Sequence, residues 1–229
     1  MRTHATIPSV SHADMSSFNH IDLSGVRAIL LDLDGTLYSE KICHEHAFRR
    51  CYEVYARRIA PVSFDAFALM YNDAQRIVKQ DKPTHAASHS RFLYFQALLE
   101  RAWGRTEVAL TLAFERLYWR HYCSQMAVYP GVREFLMRAR ARGIRICIVT
   151  NLTSAIQFVK IRHLHLDSLI DFVVTSEEAG VEKPHPRMFM RALEKLGVQP
   201  AEALMIGDNH EHDIRGAAAL GIRTVLITL

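Results

Sequence analysis

A short apolar run, Ala28-Ile29-Leu30-Leu31, ends abruptly in Asp32, Asp34 and Gly35. A run of this kind closed by a turn signal predicts a strand buried on both faces, as in a parallel sheet covered by helices. Side chains two residues apart on an extended chain point the same way, so the Asp32 and Asp34 carboxylates are expected to face one crevice. Gly35 then lets the backbone turn sharply. Ahead of this strand, residues 1–24 are polar, rich in Ser and His and aperiodic. They predict a flexible N-terminal arm.

Beyond Glu40 the texture becomes helical. His44 to Ala60 carries Ala47, Cys51, Val54, Tyr55 and Arg58 at spacings of three and four. Ser63 reads as the N-cap of a second helix running to Lys79, Ser90 to Trp103 as a third helix ended by Gly104, and Thr106 as the cap of a fourth running to Gln125. Four helices with no strand between them predict a helical subdomain over 40–126, inserted into an α/β core made of 25–39 and 127–229. Its aromatics, Phe92, Tyr94, Phe95, Phe114, Tyr118 and Trp119, are read as bundle core, and its histidines as surface or internally satisfied side chains.

From Tyr129 strand and helix alternate. Pro130-Gly131 opens a helix stopped by Gly143, Ile144 to Val149 is a strand ending in Thr150-Asn151, and a helix follows to His165. Phe172 to Val174 is a strand, followed by a loop with Glu177, Glu178, Glu182 and Lys183. Met188 to Leu196 is a helix closed by Gly197, Ala203 to Ile206 a strand ending in Gly207-Asp208-Asn209, Asp213 to Leu220 a helix, and Arg223 to Thr228 a last strand. This order predicts a doubly wound parallel sheet whose ligands bind at the carboxyl ends of the strands.

The 229 residues, 49% hydrophobic, suffice for a sizeable core. A net charge of +4 without a dense Lys/Arg block suits small anionic ligands and speaks against a nucleic-acid surface. Cys43, Cys51, Cys123 and Cys147 show no zinc-type spacing and are expected as free thiols in a reducing cytoplasm. No stretch is apolar enough to span a membrane or to act as a secretory signal, so no membrane association is expected.

The chemistry lies where the strands end. Two acids this close repel each other unless a cation, a proton or hydrogen-bond donors compensate, and the obvious partner is a hard divalent ion such as Mg²⁺. Asp32 and Asp34, Thr150 and Asn151, and Asp208 with Asp213 converge with Lys183 as carboxylates, a hydroxyl, backbone N–H groups and an ammonium. That inventory suits phosphoryl transfer. His210-Glu211-His212 is read as a polar loop, and Asn151-Leu152-Thr153, a glycosylation triplet, is discounted because it falls at a buried strand end.

Four motifs in order, Asp32-Leu33-Asp34-Gly35-Thr36-Leu37, Val149-Thr150-Asn151, Lys183-Pro184-His185-Pro186 with Phe189, and Gly207-Asp208 with Asp213, resemble those of the haloacid dehalogenase-like hydrolase superfamily. The helical insert is similar to that family's helical cap of the first type, which closes over the active site. The resemblance implies Asp32 as nucleophile, becoming a transient aspartyl phosphate, and Asp34 as general acid and then base. It implies Thr150 and Asn151, through its backbone N–H, as phosphate binders and Lys183 as the neutralising cation. Mg²⁺ would be bound by the Asp32 carboxylate, the Asp34 carbonyl and Asp208, with Asp213 acting through water or from further out. The implied activity is a Mg²⁺-dependent phosphatase acting on a small phosphorylated metabolite: a sugar phosphate, a nucleotide or a phospho-acid. A phosphomutase uses the same residues, a dehalogenase lacks the second acid, and a binding protein without turnover is the non-enzymatic alternative.

Overall fold

The structure is a computed structural model that describes residues 10–228. Strands β1 (Val10–Asp14) and β2 (Ala28–Leu31) come first. Helices α1 (Glu40–Arg58), α2 (Phe64–Asp81), α3 (Arg91–Trp103) and α4 (Val108–Cys123) follow. The remainder runs through α5 (Val132–Ala141), β3 (Arg145–Thr150), α6 (Ser154–His163), β4 (Phe172–Thr175), α7 (Ser176–Ala179), α8 (Pro186–Leu196), β5 (Ala203–Gly207) and β6 (Arg223–Thr228). The described residues fall into two compact units, 10–39 with 127–228, and Glu40–Met126.

The first unit is built on one sheet of order β1-β6-β5-β2-β3-β4, parallel throughout. The apolar run of β2 takes a central place because all four of its residues are fully buried and need cover on both faces. Leu30, Cys147, Val149 and Met205 pack with Met188, Phe189, Ala192 and Leu196 of α8 in one cluster. Each large apolar side chain buried there contributes about 1.5–3 kcal/mol. Leu31 pairs with Ile148 on one side and Ile206 on the other, so the chain beyond β2 emerges between the ends of β3 and β5. The strand order reverses at β2, the switch point where open α/β sheets bind ligands.

One expectation is corrected at the N-terminus. Residues 1–9 of the expected flexible arm lie outside the described residues, but Val10–Asp14 is an edge strand in register with Thr224 to Thr228 of β6. Phe18, Ile21 and Leu23 are buried, with Phe18 against Phe135 at 5.5 Å between ring centroids and its carbonyl accepting from Arg138 at 2.7 Å. Backbone pairing to an open strand edge needs no side-chain periodicity, so the hydropathy pattern carries no sign of it.

In the second unit α1 packs on α4, α4 on α3 and α3 on α2. Ser63 and Ser90 cap α2 and α3 through their side chains and Gly104 ends α3 in the left-handed region, as the sequence predicts. Thr106 does not cap α4. Its hydroxyl donates to Glu100 instead, at 2.5 Å, and Glu107 takes the cap position. Tyr71, Tyr94, Phe95, Phe114 and Tyr118 form the buried aromatic interior, and His44 is satisfied there by the Tyr118 hydroxyl at 2.8 Å. Among the described residues no helix is long and apolar enough to cross a membrane, and the four cysteines are buried free thiols.

Candidate active site

Asp32 leaves the end of β2 with its backbone N–H still bonded to Ile206, at 2.9 Å, so its direction is set by the sheet. Its Oδ1 meets the Lys183 ammonium at 2.5 Å and its Oδ2 accepts from the Thr36 hydroxyl at 2.8 Å. Lys183 also bonds Asp213 Oδ1, at 2.6 Å. Asp208 lies alongside, its N–H donating to Thr36 Oγ1 at 3.0 Å.

Carboxylate oxygens of Asp32, Asp208 and Asp213 all lie within 4.8 Å of one another. Two glycines permit this approach. A Cβ at Gly35, which has φ +88°, would overlap the Asp208 carboxylate, and one at Gly207 would overlap that of Asp213. Asp213 itself is brought inward by a π-helical turn, His210–Arg215, whose Asn209 cap accepts from the His212 N–H. This helix therefore begins earlier than the sequence predicts, and His210-Glu211-His212 belongs to it rather than to a loop.

Burial pushes the Asp32 carboxyl up to about 8. Lys183 opposes the rise, and the Asp213 and Asp208 charges add to it. Burial would lower the Lys183 ammonium, but the Asp213 and Asp32 carboxylates outweigh it and leave it raised. One ammonium among three acids leaves excess negative charge. With oxygen as the sole donor type, the cluster fits a hard divalent cation such as Mg²⁺.

Asp34 is placed differently. Its carboxylate is not among those three acids but is gripped by Lys160 at 2.8 and 3.0 Å, by Gln157 Nε2 at 2.9 Å and by the Tyr38 hydroxyl. Burial raises its pKa, yet the Lys160 charge and these three donors prevail and hold it below the ordinary carboxylate range. The repulsion expected between the two motif acids is thus met by two different lysines, and any metal role of Asp34 falls to its backbone carbonyl.

Thr150 is buried at the end of β3 and accepts from Gln157 Nε2 at 2.6 Å. Asn151 uses its side chain on the Lys183 backbone: Oδ1 accepts from the Lys183 N–H at 2.8 Å and Nδ2 donates to the Lys183 carbonyl at 3.4 Å. His212 Nδ1 also donates to that carbonyl, at 2.8 Å, so this nitrogen is engaged in holding the lysine loop. Leu152, a non-glycine residue at φ 132°, is kept there by two bonds with the Ser176 hydroxyl, at 2.9 and 3.3 Å. Such a conformation costs about 1–3 kcal/mol and persists only where the surroundings fix it. Glu177 accepts from the Ser154 N–H at the start of α6, Glu178 pairs with Lys195 and Arg191, and His185 caps α8 through Nδ1.

Sequence reasoning missed Gln157, Lys160, Tyr38 and Ser176. A signal for the first two is visible afterwards. Gln157 and Lys160 stand three apart on α6 and are buried, whereas the apolar Phe158 and Val159 between them are exposed. Polar residues turned inward on a surface helix invert the usual amphipathic pattern.

Comparison with known proteins agrees with this geometry. The haloacid dehalogenase-like hydrolase family profile matches residues 26–221. The chain is 39% identical over 199 residues to the ribulose-1,5-bisphosphate 5-phosphatase of Halopiger xanaduensis, covering 87% of this chain and 83% of that one. It is 33% identical over 202 residues to the glyceraldehyde 3-phosphate phosphatase of Methanopyrus kandleri, covering 88% and 84%. A solved structure of a HAD phosphatase from Thermococcus onnurineus superposes with a TM-score of 0.71 at 26% identity, covering 89% of this chain and 86% of that one. Sheet order, acid cluster and sequence similarity lead to one conclusion: the chain belongs to the haloacid dehalogenase-like hydrolases.

Proposed function

We propose that the chain is a Mg²⁺-dependent phosphatase that hydrolyses a small phosphate monoester, a sugar phosphate foremost, through an aspartyl-phosphate intermediate on Asp32. The observation that carries this reading is the pairing of Asp32 with Lys183 inside an all-oxygen acid cluster, with a second acid, Asp34, two residues further on. Cleavage of a carbon–halogen bond releases a halide that needs no proton, so Asp34 favours ester hydrolysis over dehalogenation. The named activities of the two relatives above, both on sugar phosphates, support the substrate class.

In this reading Lys183 and Thr36 lock the Asp32 carboxylate so that it meets phosphorus without searching rotamers. The Thr150 hydroxyl and the Asn151 N–H hold phosphoryl oxygens, and Lys183 offsets their charge. As the ionised base that Lys160 holds, Asp34 takes a proton from the water that hydrolyses the intermediate; to act first as the acid for the leaving oxygen it must take up a proton, for which its pair with Lys160 has to loosen as the substrate binds. Asp32, Asp208 and Asp213, with the Asp34 carbonyl, would hold Mg²⁺, which when bound offsets phosphoryl charge.

The test is phosphate release from a panel of sugar phosphates, bisphosphates, nucleotides and phospho-acids, with Mg²⁺ and with EDTA. Metal-dependent release concentrated on sugar phosphates is expected. Halide release from haloacids without metal, or interconversion of sugar phosphates without net release, would overturn the reading.

Metal binding also carries a pH signature. Between the ordinary Asp value of 3.8 and about 8 the native state keeps a proton on Asp32 that the unfolded chain has lost, so this group lowers stability as pH rises through that window. A cation on the same oxygens takes the proton's place and binds more tightly as the proton leaves. The rise in Tm caused by Mg²⁺ is therefore expected to be larger at pH 8 than at pH 6, as thermal melts would reveal. An equal rise at both pH values would remove Asp32 from the metal site.

A further inference from the structure

Gln157 lies at the junction of two strand-end motifs. Its Nε2 reaches Thr150 Oγ1 at 2.6 Å, Asp34 Oδ2 at 2.9 Å and the Asn151 carbonyl at 3.0 Å, its two hydrogens shared among the three acceptors with Thr150 the nearest, while the side chain is fully buried. The ionised Asp34 carboxylate and the Asn151 carbonyl are acceptors only, so they fix the amide with its NH₂ toward them. The cost of this choice is visible: Gln157 Oε1 is buried with no hydrogen-bond partner among the described residues. A glutamine used only to fill space would be better replaced by an apolar side chain, since an unmatched buried acceptor is unfavourable. What the glutamine gains is control of its neighbours.

The Thr150 hydroxyl has one hydrogen. With its oxygen accepting from Gln157, that hydrogen must be donated elsewhere, and the other acceptor recorded for it is the Asn151 carbonyl at 3.4 Å, a long and weak contact. The hydroxyl is thus kept as a donor without a good acceptor of its own. Lys160, one turn further along α6, binds both oxygens of Asp34 and closes the other side of the arrangement.

We propose that Gln157 is a positioning residue that aims the Thr150 hydroxyl hydrogen at a phosphoryl oxygen and, together with Lys160, holds Thr150 and Asp34 in register. This rests on the phosphatase reading and adds to it a device on α6 that links the oxyanion-binding hydroxyl to the second acid.

The experiment compares wild type, Gln157→Met, Gln157→Glu, Thr150→Val and the double variant Gln157→Met/Thr150→Val. It uses the full chain with Mg²⁺ and reads orthophosphate binding by calorimetry and steady-state hydrolysis of the best ester. Methionine matches the shape without the N–H donors, and glutamate reverses the bond by accepting from Thr150.

Gln157→Met is expected to weaken orthophosphate binding and lower kcat/KM by about 10- to 100-fold. Gln157→Glu should lower both further despite its better match in shape. In the Thr150→Val background the methionine should cost little further orthophosphate affinity, because its effect on binding passes through the hydroxyl, while turnover keeps the part that passes through Asp34. Multiplicative losses of orthophosphate affinity in the double variant, or equal orthophosphate affinity in wild type and Gln157→Met, would overturn the proposal. If the methionine variant does not fold, Gln157→Glu decides: wild-type affinity in it overturns the proposal. Orthophosphate binding that depends on Gln157 in a protein that hydrolyses no ester would overturn the phosphatase reading alone.

Discussion

Asp32→Asn is expected to lower phosphate release by about 10⁴-fold or more, with the fold intact. The amide matches the carboxylate in shape, and its oxygen can still accept from Lys183 or Thr36, which contact the carboxylate at 2.5 and 2.8 Å. What it loses is the nucleophile, and no neighbouring group replaces it. Asp34 is held by Lys160, and Asp213 is engaged with Lys183 and the Asn209 N–H.

Stability should move the other way or stay level. Asp32 is a buried acid pushed up by burial and by the Asp213 and Asp208 charges, so a neutral side chain relieves repulsion, while Lys183 keeps Asp213 as a partner. Without metal the Tm of the variant should equal or exceed that of wild type at pH 8, and the Mg²⁺-induced rise should shrink. Phosphate release and paired melts check both. A variant that turns over at the wild-type rate would remove Asp32 from the chemistry.

The backbone half of this site is legible in the sequence because it follows from local pattern. The run Ala28 to Leu31 can be satisfied only in the middle of a covered sheet, and β3 and β5 are apolar runs of the same kind. The ends of these strands, Asp32, Thr150 and Asp208, are therefore adjacent by topology alone. Charge pairing is not legible in that way. Nothing local links Asp34 to Lys160, 126 residues away, or Asp32 to Lys183, 151 away. Which acid takes which lysine is decided by where α6 and the loop before α8 are carried by the sheet.

The same distinction explains the N-terminus and the cap of α4. Val10–Asp14 is placed by the free ladder groups of β6, and Thr106 is drawn from its expected cap by the Glu100 carboxylate. The carboxylates of Asp32 and Asp34 take separate partners for a related reason. Two lysines from different elements separate their charges, which leaves Asp34 apart from the acid cluster and linked to Thr150 through Gln157.

Lys183→Met should be the most damaging substitution for stability. The ammonium lies between Asp32 Oδ1 and Asp213 Oδ1, at 2.5 and 2.6 Å, and all three side chains are buried. Removing one partner of a buried pair leaves charge uncompensated and typically costs about 3–5 kcal/mol, equivalent to a fall in Tm of about 6–20 °C for a chain of this size.

The loss should depend on pH through the acids and not through the lysine. Lys183 is raised in the native state, so its own contribution is fully present throughout the neutral range. Without it the carboxyl of Asp32 is pushed higher still. It can take up a proton near pH 5 and sit neutral, whereas at pH 8 it must either ionise unpaired or bind a proton that is scarce. The variant should thus lie closest to wild type at pH 5 and fall progressively below it toward pH 8. Mg²⁺ should recover part of the deficit by giving the same oxygens a cation.

Activity should remain about 10³-fold down even with saturating Mg²⁺, since the positive charge beside the nucleophile and the phosphoryl oxygens is gone. Melts from pH 5 to 8 with and without Mg²⁺, followed by phosphate release at pH 7, separate the two effects. A variant with wild-type Tm at pH 8 would mean that Asp32 and Asp213 do not depend on this lysine. Full activity with Mg²⁺ would mean that the ammonium serves the fold and not the reaction.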